Sequence, residues 1–346
     1  MIYIHKSSKY DVKLATDELL SGTKYKMTIY SKIIATGSYL PKQILSNYDL
    51  EKMVDTTDEW ITSRSGITQR HIIADNESAS DMAYNAATDA IKSSSIDKSS
   101  IDMIIVATFT SDTIFPSNAC LLQQRLGLGS IPAFDLNAVC SGFLYAIATA
   151  DAYIKTDMAK TILIVGADAV SHYIDYTDRN TCVLFGDGAG AVILQKSLEA
   201  GIIGSEIHAD GNGEEALHIK GQLKKGKIVG HPYIYMNGKP VFKAAVTSLS
   251  HIATSILKKT GYTQDQIDWL IPHQANIRII EATARHLNLS MDKVIVTVAT
   301  HGNTAAASVP LALDFAIKSG KIKRGELLLL EGFGAGFTWG ASLIRY

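Results

Sequence analysis

Cys140 is the residue of this 346-residue chain whose position best suits covalent chemistry. It follows a predicted strand over residues 133–136 and a short turn, and it precedes an apolar helix predicted over 142–154. A thiol in the first turn of a helix lies near the positive end of the helix dipole and near unpaired backbone N–H groups. That position predicts a lowered thiol pKa and a reactive thiolate. The alternative is a small buried apolar side chain, as most free cysteines are.

The other two cysteines are predicted to be core residues. Cys120 falls within an apolar helix and Cys182 within a strand. Three cysteines without C-x-x-C spacing predict free thiols and no metal site. Free thiols are typical of a cytoplasmic protein.

His273 and Asn303 are the polar residues best placed to assist a nucleophile. His273 lies where a predicted buried strand ends and a helix begins, which is where α/β proteins place their sites. Its ring could relay protons or donate a hydrogen bond to an oxyanion. Asn303 opens a helix, so it could be an N-cap, but its amide is also a permanent donor. His301 next to it is interpreted as a loop histidine.

The two halves of the chain resemble each other. Residues 151–155 (DAYIK) match 314–318 (DFAIK), and the same offset in numbering places Cys140 opposite Asn303. Residues 101–105 match 267–271 with a slightly larger offset, and the second of these segments runs into His273. A duplicated fold brings corresponding loops together near its pseudo-twofold axis, and repeats of this kind decide the fold. The three side chains are therefore expected to meet.

Short apolar runs alternate with helical patterns, which predicts an α/β fold in layers. Several strands are continuously apolar and should be buried on both faces. A polar region over 205–239, rich in Gly, His and Lys, interrupts the alternation. The predicted strands are 103–108, 133–136, 161–166, 182–185, 189–194, 269–271, 294–298 and 327–330. The predicted helices are 80–93, 118–126, 142–154, 242–260, 276–287 and 305–318.

Composition excludes several classes of function. The net charge is −1, which does not favour nucleic-acid binding. No apolar run reaches the roughly 18 residues that a membrane span needs. Residues 1–26 carry five lysines and no apolar core, so they do not predict a secretory signal. We interpret 1–27 as an extension, with a surface helix over 11–20 as the alternative, followed by halves over 28–200 and 201–346.

Two glycine-rich loops follow predicted strands, at 186–190 and 332–336. Neither has G-x-G-x-x-G spacing, and the chain has no G-x-x-x-x-G-K-[ST]. We therefore do not predict nucleotide phosphate binding there. Close approach of backbone N–H groups to an active site is the better interpretation.

Taken together, these motifs resemble the β-ketoacyl-acyl carrier protein synthase III family of the thiolase-like superfamily. The resemblance runs from about residue 28 to 346. Its motifs, in order, are Asp58-Glu59-Trp60-Ile61, Arg64-Ser65-Gly66-Ile67, the Cys140 segment, Phe185-Gly186-Asp187-Gly188-Ala189-Gly190, Pro272-His273-Gln274-Ala275-Asn276, Gly302-Asn303-Thr304 and Phe337-Thr338-Trp339-Gly340.

The resemblance implies a five-layer αβαβα fold, a homodimer and a Cys140–His273–Asn303 triad. It implies condensation of acetyl-coenzyme A with malonyl-acyl carrier protein through an acyl-Cys140 intermediate, without a cofactor. Residues implied to bind coenzyme A or the acyl chain are Trp60, Arg64, Phe115, Arg179, Gly238, Phe242, Ala275, Asn276 and Phe333. Those implied to meet the carrier protein are Lys243, Gln274, Arg278 and Arg285. Gly334, Ala335 and Gly336 are implied to form the oxyanion loop.

One position departs from the family pattern, and three other functions compete. Ala335 stands in a loop that is often three glycines, so its methyl group fits only if its backbone angles are ordinary. A condensing enzyme with another acyl primer is the first alternative. The second is a papain-like hydrolase, although its C-G-[SA]-C-[WY] motif is missing. The third is an inactive acyl-binding scaffold, which the intact triad disfavours.

Overall fold

The computed structural model of the protein describes residues 28–346. The predicted extension and the alternative helix over 11–20 lie outside the described residues. The strands are β1 Tyr30–Tyr39, β2 Gln43–Ser46, β3 Gln69–Ile72, β4 Met103–Ala107, β5 Ala133–Leu136, β6 Thr161–Asp168, β7 Gly188–Ser197, β8 Ile202–Ala209, β9 Leu217–His218, β10 Gln222–Lys224, β11 Lys227–Val229, β12 Tyr235–Met236, β13 Trp269–Pro272, β14 Leu327–Gly334 and β15 Thr338–Arg345. The helices are α1 Asn47–Leu50, α2 Asp58–Ser65, α3 Ala79–Ser93, α4 Asn118–Arg125, α5 Gly142–Lys155, α6 Gly238–Thr260, α7 Ile277–His286, α8 Val298–His301 and α9 Ser308–Lys318.

Two sheets with the same strand order build the core. The first has the order β1-β7-β6-β4-β5, with β4 parallel to β5 and β6, and with β6–β7 and β7–β1 antiparallel. The second has the order β8-β15-β14-β13, and an isolated parallel bridge from Leu270 to Val294 continues it. Position by position, the second sheet repeats the first. The fold is the predicted thiolase-like α/β architecture.

The helices α5 and α9 lie between the two sheets. Buried side chains of both helices share one hydrophobic cluster with residues of both sheets, including Phe143, Ile147, Leu313 and Leu328. Helices α3 and α4 pack on the outer face of the first sheet, and α6 packs on the second. The five layers expected from the resemblance are therefore α, β, α, β and α.

The structure corrects the predicted register between the halves. Strands β6 and β14, and the starts of helices α5 and α9, share the larger offset, the one that matches 101–105 to 267–271. The structural counterpart of Cys140 is thus Ala306, and that of Asn303 is Asn137. The smaller offset was wrong because α5 has 14 residues and α9 has 11. The sequence match had aligned the C-terminal ends of two helices that differ in length.

Two predicted strands are also wrong. Residues 182–185 form turns in which only Phe185 makes a bridge, to Asn303. Residues 294–298 contribute the single bridge at Val294 before the short helix α8 begins. Both segments are apolar because they are buried, and neither has a full-length partner strand. Burial and strand pairing leave the same signature in a short apolar run.

Close backbone contact between the halves requires glycine at position 166. A Cβ atom there would lie 2.4 Å from the carbonyl oxygen of Ala306. We predict that Gly166→Ala lowers the free energy of unfolding by about 1–3 kcal/mol, a usual cost of overpacking. Urea unfolding would measure the loss. Gly129→Ala is the matched control, since no atom lies within 4 Å of a Cβ at that position. Equal stability of the two variants would contradict the assignment.

Candidate active site

A cavity of about 480 Å³ lies where the two halves meet, and it collects the three predicted catalytic residues. Cys140, His273 and Asn303 all line it, although Cys140 is far from the other two along the chain. All three are more than nine-tenths buried. The predicted pocket residues that also line the cavity are Gly238, Phe242, Ala275, Asn276, Phe333, Gly334 and Ala335.

Cys140 is held in a one-turn 3₁₀ helix, Val139–Ser141, directly before α5. Val139 has a left-handed φ of 47°, which a β-branched residue adopts only where the surroundings enforce it. Ala305 in the second half has the same φ. The two halves therefore make the same strained turn, and the turn in the first half directs the thiol into the cavity.

The Asp168 carboxylate fixes the turn of the second half. It accepts hydrogen bonds from the Ala306 N–H at 2.9 Å, the Phe109 N–H and the hydroxyl groups of Thr108 and Thr110. Asp168 ends β6 and is fully buried. Burial raises its pKa to about 7. The four donors act in the opposite direction, because they favour the ionised form.

The counterpart of Asp168 in the second half is Gly334, which ends β14 and faces the Cys140 turn. A Cβ atom on Gly334 would lie 2.8 Å from the Cys140 nitrogen. With no side chain at this point, the Cys140 N–H has no acceptor from another described residue. One half thus fills the position with a carboxylate, whereas the other leaves an amide free to bind an oxyanion.

The thiol pKa differs from the prediction. Burial, followed by the nearby Asp168 carboxylate, raises the pKa of the Cys140 thiol above its usual range. The expected lowering considered the helix dipole alone and left out desolvation, which is the larger effect here. The thiol is therefore neutral in the resting site and must lose its proton as it reacts.

His273 is neutral, and its ring is bonded on one side. Burial lowers the pKa of His273 to about 4. Its backbone N–H donates to the Glu331 carbonyl at 2.8 Å, and its Nδ1 lies 2.5 Å from the Ser308 hydroxyl oxygen. The ring can therefore act as a neutral hydrogen-bond donor at physiological pH. His301 is half-buried, and its pKa is lowered to about 4 by burial and by His71. It does not line the cavity.

Asn303 is oriented by its neighbours. Its side-chain oxygen accepts the Ala305 N–H at 3.0 Å, and its main chain bonds to Leu184 and Gly186. Asn137 makes the same arrangement with the Val139 N–H and also lines the cavity. We did not predict Asn137 from the sequence, although the larger of the two offsets would have paired it with Asn303.

Trp60, Arg64 and Arg179 form a cluster, as predicted. The guanidinium carbons of Arg64 and Arg179 lie 4.7 and 5.1 Å from the centre of the Trp60 ring. The Asn276 side-chain amide donates to the Arg64 carbonyl at 3.0 Å, which ties the cluster to a cavity-lining residue. This aromatic ring with two cations is suited to bind a nucleobase and phosphates.

The loop predicted to bind the oxyanion accommodates alanine at position 335. Ala335 does not have a left-handed φ, so its methyl group is accommodated, while the φ of 129° at Gly336 requires a glycine. Gly336 is exposed and, unlike Gly334 and Ala335, does not line the cavity.

Three of the four residues expected to meet a carrier protein are exposed cations. Lys243 lies on α6, and Arg278 and Arg285 lie on α7; the Arg278 guanidinium lies 5.5 Å from the ring centre of the cavity residue Phe242. The prediction for Gln274 is wrong. Gln274 is fully buried, and its side chain bonds to the main chain of residues 272, 295, 297 and 298. It shapes the loop after His273 instead.

Phe115 and the two remaining cysteines differ in their exposure to solvent. Phe115 is 84% exposed, as a residue that reaches outward would be. Cys120 is exposed, so its prediction as a core residue is wrong; only one side of α4 is covered. Cys182 is buried, as predicted.

Among residues 28–346, no helix is long and apolar enough to cross a membrane. The same residues contain no group of three or more side chains suited to hold a metal ion.

Comparison with known proteins shows similarity over almost the whole described chain. Residues 134–211 match the family 3-oxoacyl-[acyl-carrier-protein (ACP)] synthase III, and residues 257–346 match its C-terminal part. The β-ketoacyl-[acyl-carrier-protein] synthase III of Neisseria meningitidis serogroup B is 58% identical over 318 residues, which cover 92% of this chain and 99% of that protein.

Solved structures agree. The 3-oxoacyl-[acyl-carrier-protein] synthase III of Aquifex aeolicus is 47% identical, with a TM-score of 0.87 over 91% of this chain and 100% of that one. The enzyme of the same name from Pseudomonas aeruginosa is 38% identical, with a TM-score of 0.86 over 92% of this chain and 98% of that one.

The raised pKa of Cys140 predicts the result of a titration. The absorbance of thiolate near 240 nm, taken as wild type minus Cys140→Ser, should show no contribution from Cys140 up to about pH 9, the ordinary value of a thiol. The thiol stays protonated because its charged form is poorly solvated in the closed site. A midpoint in the roughly 3.5–7.5 range of activated cysteines would overturn this account.

Proposed function

This chain belongs to the β-ketoacyl-[acyl-carrier-protein] synthase III family of condensing acyltransferases, and on that premise we propose how it starts a fatty-acid chain. Acetyl-coenzyme A and malonyl-acyl carrier protein give acetoacetyl-acyl carrier protein, carbon dioxide and coenzyme A. The observation that carries the proposal is that Cys140, His273 and Asn303 line one cavity near the Trp60–Arg64–Arg179 cluster.

In the first half-reaction, Cys140 takes the acetyl group. Its sulfur attacks the thioester carbonyl, the bond to the coenzyme A sulfur breaks, and the thiol proton leaves with coenzyme A. The free Cys140 N–H, with an N–H of the Gly334–Gly336 loop, stabilises the oxyanion. The starting thiol is neutral, so loss of its proton is part of this step and not a resting condition of the enzyme.

In the second half-reaction, the malonyl thioester loses carbon dioxide. His273 and Asn303 donate hydrogen bonds to its thioester oxygen, so the electron pair left by decarboxylation is held as an enolate. The enolate carbon attacks acetyl-Cys140, a carbon–carbon bond forms, and the Cys140 sulfur leaves as a thiolate that takes up a proton from solvent. Neutral His273 suits this work because it keeps a donor at the oxygen without adding a buried charge.

Two surface features explain how the two substrates are bound. The Trp60 ring stacks the adenine of coenzyme A, and Arg64 and Arg179 meet its phosphates. Lys243, Arg278 and Arg285 attract an acidic carrier protein. Gly238, Phe242, Ala275, Asn276 and Phe333 line the route for the pantetheine arm and the acyl group. No cofactor takes part in these steps.

The assembly and the primer are also part of the proposal. We propose a cytoplasmic homodimer in which Phe115 and the neighbouring Ile114, 86% exposed, cross to the partner subunit. Phe115 then limits the volume of the partner's acyl pocket and so selects a short primer. Light scattering that finds a monomer at micromolar concentration would contradict the dimer.

Variants of the two donors should separate the half-reactions. His273→Ala or Asn303→Ala should slow condensation by roughly 10²–10³, the usual effect of losing one oxyanion donor, and should leave acetylation of Cys140 much less affected. Rapid-quench assays with acetyl-coenzyme A alone, and then with malonyl-acyl carrier protein, measure both steps. Equal losses in both steps would refute these roles.

Gly334→Ala should slow acetylation itself, unlike the two donor variants. Its methyl group would fall 2.8 Å from the Cys140 nitrogen and block the amide that meets the acetyl oxyanion. We expect acetylation to slow by roughly 10²–10³. Gly129→Ala serves again as the control. Acetylation within a factor of about two of wild type would show that this amide is not the oxyanion donor.

A further inference from the structure

We propose that Ser308 is a positioning residue that fixes the tautomer of His273, so that the ring carries its proton on Nε2. The catalytic consequence of this inference rests on the proposed function, in which Nε2 is the donor to the malonyl thioester oxygen. Its physical content, the position of one proton, can be observed independently of activity.

The hydrogen bonds of the Ser308 hydroxyl determine which way its proton points. Its oxygen lies 3.3 Å from the Gln274 backbone nitrogen and 2.5 Å from His273 Nδ1. A backbone N–H can only donate, so the bond from Gln274 uses one lone pair of the hydroxyl oxygen. The single hydroxyl proton is then free to point at Nδ1. In that arrangement the Gln274 N–H, the Ser308 hydroxyl and His273 Nδ1 all have a partner.

The other tautomer leaves a group unpaired. If Nδ1 carried the proton, the Ser308 oxygen would accept from both nitrogens. Its own proton would then have no acceptor among residues 28–346. Ser308 is 1% exposed, so water does not reach it from the surface. A buried unpaired donor is costly, and this cost selects the arrangement in which Ser308 donates.

The fold fixes the position of Ser308 independently of the histidine. Ser308 begins α9, immediately after the 3₁₀ turn Ala305–Ala307. Asp168 holds that turn through the Ala306 N–H. Gln274 is in turn anchored by its side chain to residues 295, 297 and 298. The hydroxyl therefore meets the ring at an angle set by two rigid segments.

Nitrogen-15 NMR of histidine-labelled protein tests the proposal, because the two neutral tautomers have different nitrogen shifts. The His273 signals are assigned by their loss in His273→Asn. We expect the Nε2–H tautomer in wild type, a mixture in Ser308→Ala, and recovery in Ser308→Thr. Wild type with the proton on Nδ1 would overturn the proposal, and so would an unchanged pure Nε2–H tautomer in Ser308→Ala.

The half-reactions give the second readout. Ser308→Ala should slow condensation by roughly tenfold, the loss of about one net hydrogen bond, with acetylation of Cys140 unchanged. Ser342→Ala is the matched control, because Ser342 is equally buried and its hydroxyl bonds to Ser205 away from the cavity. An equal slowing in that control would assign the effect to lost stability. Suppose that neither wild type nor Ser308→Ala condenses acetyl-coenzyme A with malonyl-acyl carrier protein, while NMR finds the stated tautomers. The proposed function is then wrong, and the positioning role of Ser308 stands.

Discussion

The hydrogen bond from the Ala306 N–H to the buried Asp168 carboxylate is the contact on which the site depends. It joins the end of β6 to the turn before α9 and so fixes one half of the molecule against the other. Asn303 and Ser308 stand on either side of that turn. Without an acceptor at this point, a buried amide would be unpaired and the turn, with φ of 47° at Ala305, would lose its restraint.

The duplicated fold explains how one such turn becomes a scaffold and the other a catalyst. Both halves make the same strained turn, with a φ of 47° at Val139 and at Ala305. In the half that carries Ala306, a carboxylate satisfies the amide. The Cys140 amide instead faces Gly334 of the second half, so it stays available for substrate. The approximate symmetry of the two halves thus fixes the geometry of both turns. The difference between Asp168 and Gly334 leaves only the Cys140 amide free for substrate.

Much of this arrangement could be predicted from the sequence, because strand and helix periodicity and the motifs around Cys140, His273 and Asn303 are local. What could not be predicted depends on contacts between distant segments. Cys140 is buried in a cluster that draws residues from both halves, which raises its pKa, and Gln274 is polar in sequence yet enclosed by residues 295–298. The predicted register between the two halves was wrong because two helices of unequal length have similar last residues.

The intact mass of the protein after mixing with acetyl-coenzyme A tests most directly the claim that Cys140 carries the acyl group between the half-reactions. The account predicts one added acetyl group per chain on wild type and none on Cys140→Ser. An acetyl group retained by Cys140→Ser would contradict it, because the acyl group would then reside on another side chain.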